Sequence, residues 1–300
     1  MNEIFHPLIT VFTPTYNRIS LLPRLLESLL KQTNKNFEWL VVDDGSSDGT
    51  EKYFNDVILK NQSTFPIRYY LQNNGGKHTA INRGVKEAKG ELFLILDSDD
   101  SLPCDAIETI LKNYDLCKER DDCGGVCGLM AHHDGKRIGN GFPKVTIYES
   151  SLVFRYHMGV TGDLSEVFKT SVMREFPFPE IEGEKFCPEA LIWNRIASKY
   201  KLSCFNKVVY YRDYLGGGLT DKIVKIRMES PIATTMTYQE MTEYDIPLKW
   251  KIRSAINYWR FKFCAKSTKN CPPIGYKWIW TMPLGLIMHF TDKKKISKRT

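Results

Sequence analysis

The chain has 300 residues, 42% hydrophobic and 26% charged, which is the make-up of a folded globular protein and excludes a disordered or low-complexity one. Its net charge of +7 is unevenly spread: residues 245–300 hold 13 Lys and Arg against Asp245 and Asp292, leaving 29 basic and 33 acidic residues before them. The basic excess therefore points to an anionic partner for the tail alone, and nucleic acid is not expected as a partner of the whole chain.

Met1–Pro7 has no basic region followed by an apolar core, so a secretory signal is not expected and a cytoplasmic setting is. Leu8–Phe12 reads as a strand, with Ser20 as N-cap of a helix whose stripe is Leu21, Leu22, Leu25, Leu26, Leu29 and Leu30. Phe37–Val42 is a second strand, followed by a helix capped by Ser47 or Asp48 and running to about Lys60. Ile67–Leu71 is a third strand, Thr79–Lys89 a helix, Leu92–Leu96 a fourth strand, and Pro103 opens a helix to about Lys118. This alternation predicts an α/β fold with a parallel sheet flanked by helices. Residues 125–130, 144–148, 166–170 and 206–211 read as further strands, and Pro188–Tyr200 as a helix. From Asp221 to about Lys266 two helices split near Pro247 are expected.

Ligands of such sheets sit beyond the carboxyl ends of the strands. Here those ends read Thr13-Pro14-Thr15-Tyr16, Asp43-Asp44 and Asp97-Ser98-Asp99-Asp100, which should converge on one crevice. Three carboxylates in four residues after a buried strand fit a hard divalent cation. They equally fit an acidic turn whose Asp100 or Ser101 caps the next helix. The first turn has no glycine, so a dinucleotide-binding Gly-x-Gly-x-x-Gly is excluded, and no P-loop is present. Cys117, Cys123 and Cys127, followed by His132 and His133, lack the tight Cys-x-x-Cys pairs of a zinc site and are expected to be ordinary thiols.

Thr-Pro-Thr-Tyr-Asn-Arg at 13–18, Val-Val-Asp-Asp-Gly-Ser-Ser-Asp-Gly-Thr at 41–50, Asn-Gly-Gly-Lys at 74–77, Gly-Glu at 90–91 and Asp-Ser-Asp-Asp at 97–100 keep an order that resembles family 2 glycosyltransferases of the GT-A fold. The resemblance is close over residues 6–116, looser over 124–220 and slight beyond. It implies a GT-A domain over residues 1–220, with a nucleotide-sugar half (1–116) and an acceptor half (117–220), followed by a helical basic extension (221–300). It further implies inverting transfer from a nucleotide-diphosphate sugar, usually a UDP-sugar, with Mg²⁺ or Mn²⁺. By that resemblance Pro14 and Tyr16 would line the base pocket, Asp44 would accept from the base, Asp97 would face the ribose and Asp99 would ligate the metal. Asp100 would hold a water ligand or orient the sugar. Where many members carry an Arg-Asn pair, this chain has Ile81-Asn82, so Lys77 is the expected base or phosphate contact. Glu189 stands where the family's base would be, with Glu184 and Asp163 as fallbacks. The rivals are a sugar nucleotidyltransferase and an inactive nucleotide-sugar-binding relative.

Five more features carry expectations. His78 reads as an exposed residue at a helix start, His132 and His133 as solvated, and Trp193 as packed. Arg212 with the Gly216–Gly218 loop would close over the diphosphate. The tail holds 13 mostly apolar residues, Trp278–Phe290, before Lys293-Lys294-Lys295 and Lys298-Arg299. That stretch is too short to span a bilayer and fits a peripheral contact with an anionic membrane on its cytoplasmic face, next to a saccharide or lipid-linked saccharide acceptor.

Overall fold

A computed structural model describes residues 6–59, 63–213 and 219–297. The chain divides into two compact units, one of Met1–Pro177 with Lys199–Asp213, the other of Phe178–Ser198 with Tyr214–Thr300. Residues 178–198, expected in the acceptor half, thus group with the C-terminal helices.

The first unit holds β1 (Ile9–Thr15), α1 (Leu22–Leu30), β2 (Phe37–Asp43), α2 (Thr50–Leu59), β3 (Ile67–Leu71), α3 (Lys77–Glu87), β4 (Leu92–Ile95) and α4 (Ala106–Asp115). These are followed by β5 (Cys123–Ala131), β6 (Thr146–Glu149), α5 (Ser151–Tyr156), β7 (Leu164–Lys169), α6 (Thr170–Glu175) and β8 (Lys201–Tyr211). The eight strands form one sheet in the order β3-β2-β1-β4-β7-β5-β8-β6. β3, β2, β1 and β4 run parallel, as do β5 and β8, while β7 lies antiparallel between β4 and β5 and β6 antiparallel at the edge.

β1 and β2 are buried along their whole length. That is why their apolar residues run without alternation: helices cover both faces of a parallel sheet. The core on one side gathers Leu22, Leu25 and Leu29 of α1 with Val11, Trp39, Leu94 and Ile107. Glu38 is the one acid within β2 before its end, and burial of its charge is offset by Thr10 Oγ1 at 2.7 Å, the Lys89 N–H at 2.7 Å and Arg68 Nη1 at 3.1 Å.

The second unit holds α7 (Glu189–Ala197), α8 (Leu219–Glu229), α9 (Pro231–Met241), α10 (Leu248–Lys262) and α11 (Met282–Ser297). The two helices expected over 221–266 are three, because Pro231 has no N–H to continue the run and starts α9 afresh. Ser20 does not cap α1: Leu21 holds the N-cap position without a side-chain bond, and Pro23 sits in the first turn. α4 starts three residues after Pro103. β8 begins at Lys201, five residues before the expected strand, and the short α5 and α6 carry too little periodicity to be read from sequence.

Candidate active site

The three motif-bearing strand ends are neighbours in the sheet, with Thr15 opposite Asp43 and Phe12 opposite Ile95. The turns after β1 and β2 are tied together by the bonds Asp44 N–H to Thr15 O, Asn17 N–H to Ser46 Oγ and Ser47 N–H to Asn17 Oδ1, each 2.8 Å. Asn17 takes a left-handed conformation (φ 51°), which Asn tolerates better than most residues, and this aims its side chain at the second turn. Pro14 is buried in β1, while Tyr16 is half exposed (50%) and available to a flat ligand.

Asp44 is buried, and both its oxygens are occupied. Oδ1 accepts from Gln72 Nε2 and the Gly75 N–H at 2.9 Å, and Oδ2 from the Gly76 N–H at 2.8 Å and Asn74 Nδ2 at 3.1 Å. Four donors fill the acceptor capacity of a carboxylate. Asp44 therefore anchors the loop 72–76, and an incoming base would meet oxygens that are already hydrogen-bonded. Gly76 turns its N–H inward at φ 98°, a conformation open to glycine, and this starts α3 at Lys77. Lys77 Nζ then lies 2.7 Å from Asp97 Oδ1.

The acidic turn after β4 divides its three carboxylates. Asp97 and Asp99 keep side-chain exposures of 30% and 28%, and Arg18 Nη1 stands 3.5 Å from Asp99 Oδ2. Asp100, to which the resemblance gives a water ligand or the orientation of the sugar, is buried. Its carboxylate instead accepts from the Tyr210 hydroxyl at 2.7 Å, and the same hydroxyl accepts the Asp97 N–H at 3.0 Å. Burial, reinforced by the charge of Asp97, pushes the Asp100 carboxyl up to about 7 despite the Tyr210 bond.

Sequence reasoning missed the groups that β5 and β8 bring to this turn. Ser101 pairs through its backbone with Tyr211, and its hydroxyl is 2.9 Å from His133 Nε2. His133 Nδ1 is 2.7 Å from Asp213 Oδ2, and His132 Nδ1 is 3.1 Å from Asp213 Oδ1, so both histidines share one carboxylate at a solvent-accessible place. No short motif signals these contacts, since their partners are 32 or more residues apart in the chain. Arg212 bonds Asp163 at 3.0 Å, and its charge also bears on Asp100 and Asp97. His78, expected at the surface, is buried in α3. Gly216–Gly218 lie outside the described residues.

In the second unit Glu189 is the first residue of α7. Glu184 is buried, and its carboxylate accepts the N–H groups of Ile232 at 2.6 Å and Ala233 at 2.9 Å. It caps the N-terminus of α9 from 48 residues away. Burial raises its pKa, against the pull of those two bonds. Trp193 packs edge-on against Phe178, with ring centroids 5.9 Å apart.

Among the described residues no group of three or more His, Cys, Asp and Glu side chains could enclose a metal ion. The donor set suits a hard cation of another kind, one held by a single exposed carboxylate and completed by phosphate oxygens and water. Asp99 fits that part. The Arg18 contact it would exchange is partly exposed and worth no more than about 1 kcal/mol.

The family model described as glycosyl transferase family 2 matches residues 10–176. An uncharacterized glycosyltransferase of Rickettsia conorii is 30% identical over 254 residues, covering 80% of this chain and 35% of that protein. The hyaluronan synthase of Pasteurella multocida is 26% identical over 249 residues, covering 80% of this chain and 24% of the synthase. The chain thus spans about a third or less of the length of these two relatives. Among solved structures, S. aureus TarS 1-349 in complex with UDP-GlcNAc superposes with a TM-score of 0.60 at 17% identity, covering 97% of this chain and 92% of that one. The mannosyltransferase PcManGT from Pyrobaculum calidifontis, in complex with GDP-Man and Mn²⁺, gives 0.58 at 18%, covering 95% and 74%. At such identities the structural likeness shows the fold.

Proposed function

Because the chain belongs to glycosyl transferase family 2, we propose that it moves a sugar from a nucleotide-diphosphate sugar, specifically a UDP-sugar, to an acceptor hydroxyl with inversion at the anomeric carbon. The observation that carries this reading is the mixed-charge cluster at the carboxyl end of β4. Asp97 is joined to Lys77 at 2.7 Å, and beside it Asp99 faces Arg18 at 3.5 Å. A diphosphate accompanied by a cation carries both signs and suits such a cluster. Lys77 and Arg18 are the groups that take phosphate oxygens, and Asp97 is the ribose-side acceptor. Pro14 and Tyr16 form the wall and the stacking face for the base, with Asp44 behind them holding the loop that delivers Lys77. A Mg²⁺ or Mn²⁺ ion at Asp99 would neutralise charge on the departing diphosphate. The TarS complex with UDP-GlcNAc supports the UDP-sugar, and the Mn²⁺ complex of PcManGT supports the metal.

The acceptor hydroxyl must lose its proton as it attacks opposite the diphosphate. Glu189 is the base in this reading, from its place in the family's motif. Of the two fallbacks, Glu184 caps α9, and Asp163 is bonded to Arg212. The acceptor is a saccharide or a lipid-linked saccharide, as in the assembly of a surface polysaccharide or glycolipid. The hyaluronan synthase among the relatives supports this class.

The test is a panel of UDP- and GDP-sugars incubated with the protein, with nucleotide release followed with and without Mn²⁺. Release from one UDP-sugar, lost on chelation, is the expected result. Consumption of a nucleoside triphosphate with a sugar phosphate would instead identify a nucleotidyltransferase. Binding of UDP-sugar without turnover, even with saccharide acceptors present, would identify an inactive relative.

A further inference from the structure

α11 is apolar on every side from Met282 to Met288, a composition that in a water-soluble helix means burial all round. Only one side is buried. Gly285, His289 and Asp292 turn toward α10, and a Cβ at Gly285 would stand 2.5 Å from Trp259 Cβ and 2.7 Å from the Ile256 carbonyl oxygen. His289 Nδ1 lies 3.1 Å from the Arg260 carbonyl, and Asp292 accepts from Arg260 Nε at 2.5 Å. These three contacts fix the rotation of α11 about its axis.

The rotation so fixed leaves Leu284, Ile287 and Phe290 outward, with Ile287 63% and Phe290 60% exposed. The 3₁₀ turn before the helix, Tyr276–Thr281, adds Ile279 and Trp280, the latter 57% exposed. One turn past Phe290 stand Lys293, Lys294 and Lys295, all exposed. The acid beside them, Asp292, is already neutralised by Arg260, so these three positive charges are not offset within the turn.

We propose that this face docks on an anionic lipid bilayer, with Trp280, Ile287 and Phe290 entering the interface and Lys293–Lys295 resting on the headgroups. The face has the make-up of a helix lying in the interface plane: an apolar row of Leu284, Ile287 and Phe290, with an indole at its N-terminal end and three cations at its C-terminal end. Spanning is excluded by length. Met282–Phe290 extends about 13 Å at helical rise against roughly 30 Å of hydrocarbon, and no described helix is long and apolar enough to cross. A protein partner would match the apolar row, yet nothing in that row calls for the three lysines beyond it. The inference does not depend on the reaction proposed above, and it puts the second unit at the surface where lipid-linked molecules reside.

The experiment is flotation of the full chain with vesicles of phosphatidylcholine alone or mixed with phosphatidylglycerol. The expected result is flotation with the mixed vesicles only, weakening as salt rises. K293Q/K294Q/K295Q should lower the partition coefficient on the order of 100-fold, and W280S/I287S/F290S should abolish flotation even at low salt. All six positions are exposed, so both variants should keep the wild-type melting temperature. Absence of wild-type flotation with either vesicle would overturn the proposal. So would variants that float like the wild type, or a concentration-dependent dimer that W280S/I287S/F290S dissociates while vesicles leave the wild type untouched.

Discussion

The hydroxyl of Tyr210 sits between two acids of one turn, donating to the Asp100 carboxylate at 2.7 Å and accepting the Asp97 N–H at 3.0 Å. One side chain from the end of β8 thereby sets the backbone of Asp97 and the side chain of Asp100, three residues on. Tyr210→Phe removes the donor and the acceptor together and leaves two buried polar groups without that partner. The expected cost is about 1–3 kcal/mol of stability, read from urea unfolding. Donor KM should rise as the turn carrying Asp97 and Asp99 loosens.

Asp100 supplies a pH signature. Its folded pKa, near 7, is above the ordinary carboxylate value, so the protonated form is the one the fold prefers. Its contribution is fully present below the ordinary aspartate pKa and is lost as the pH rises toward and through 7. Asp100→Asn mimics the protonated group. Measured in chelator, the variant should gain stability relative to wild type between pH 5 and pH 8, by on the order of 2 kcal/mol. A difference that does not change with pH would count against the burial argument.

Much of this arrangement is legible in the sequence, and the limits have physical causes. β1, β2 and β4 announce themselves because strands covered on both faces are mostly apolar, and their polar ends follow from the sheet's direction. Asp44 and the Asn74-Gly75-Gly76 loop are both visible as motifs, but their mutual bonds are not, because hydrogen-bond partners 30 residues apart leave no periodicity. Tyr210 and Asp100 are 110 residues apart, and Tyr210 looks like any strand aromatic until the sheet closes. The buried His78 runs against composition, since histidine at a helix start ordinarily faces water.

Lys77 Nζ lies 2.7 Å from Asp97 Oδ1. Lys77→Met should weaken binding of the donor, read as a rise in KM or a weaker UDP titration, by about 10-fold for one lost charge-assisted contact. Because the ion pair is partly exposed, the melting temperature should change little. A large loss of stability with unchanged UDP binding would reassign Lys77 to structure.

Glu189→Gln keeps the size of the side chain and removes its basicity. Transfer should fall by about 10²- to 10⁴-fold, with UDP binding retained. Glu184→Gln is the informative contrast. It should lower stability through the α9 cap by about 1 kcal/mol while the transfer rate per folded molecule stays within a small factor. Full activity in Glu189→Gln would refute the assignment of the base.

Gly285 is a packing prediction independent of the chemistry. Gly285→Val would drive its side chain into the Trp259 Cβ and the Ile256 carbonyl, and overpacking of this kind costs about 1–3 kcal/mol. Thermal unfolding of the full chain should report the loss.

The bridge made by Tyr210 also bears on the order in which the chain is made. β1 and β2 pair across 28 residues, so that part of the sheet can form early in synthesis. Asp97 and Asp100 emerge soon afterwards, but the hydroxyl that sets them is the 210th residue and Asp213 comes later still. A nascent chain stopped at residue 176, where the family match ends, would carry every motif acid from Asp43 to Asp100 and none of the β8 groups that hold the acidic turn. Competence to bind a donor should therefore appear late, when β8 adds to β5, well after the motifs themselves have left the ribosome.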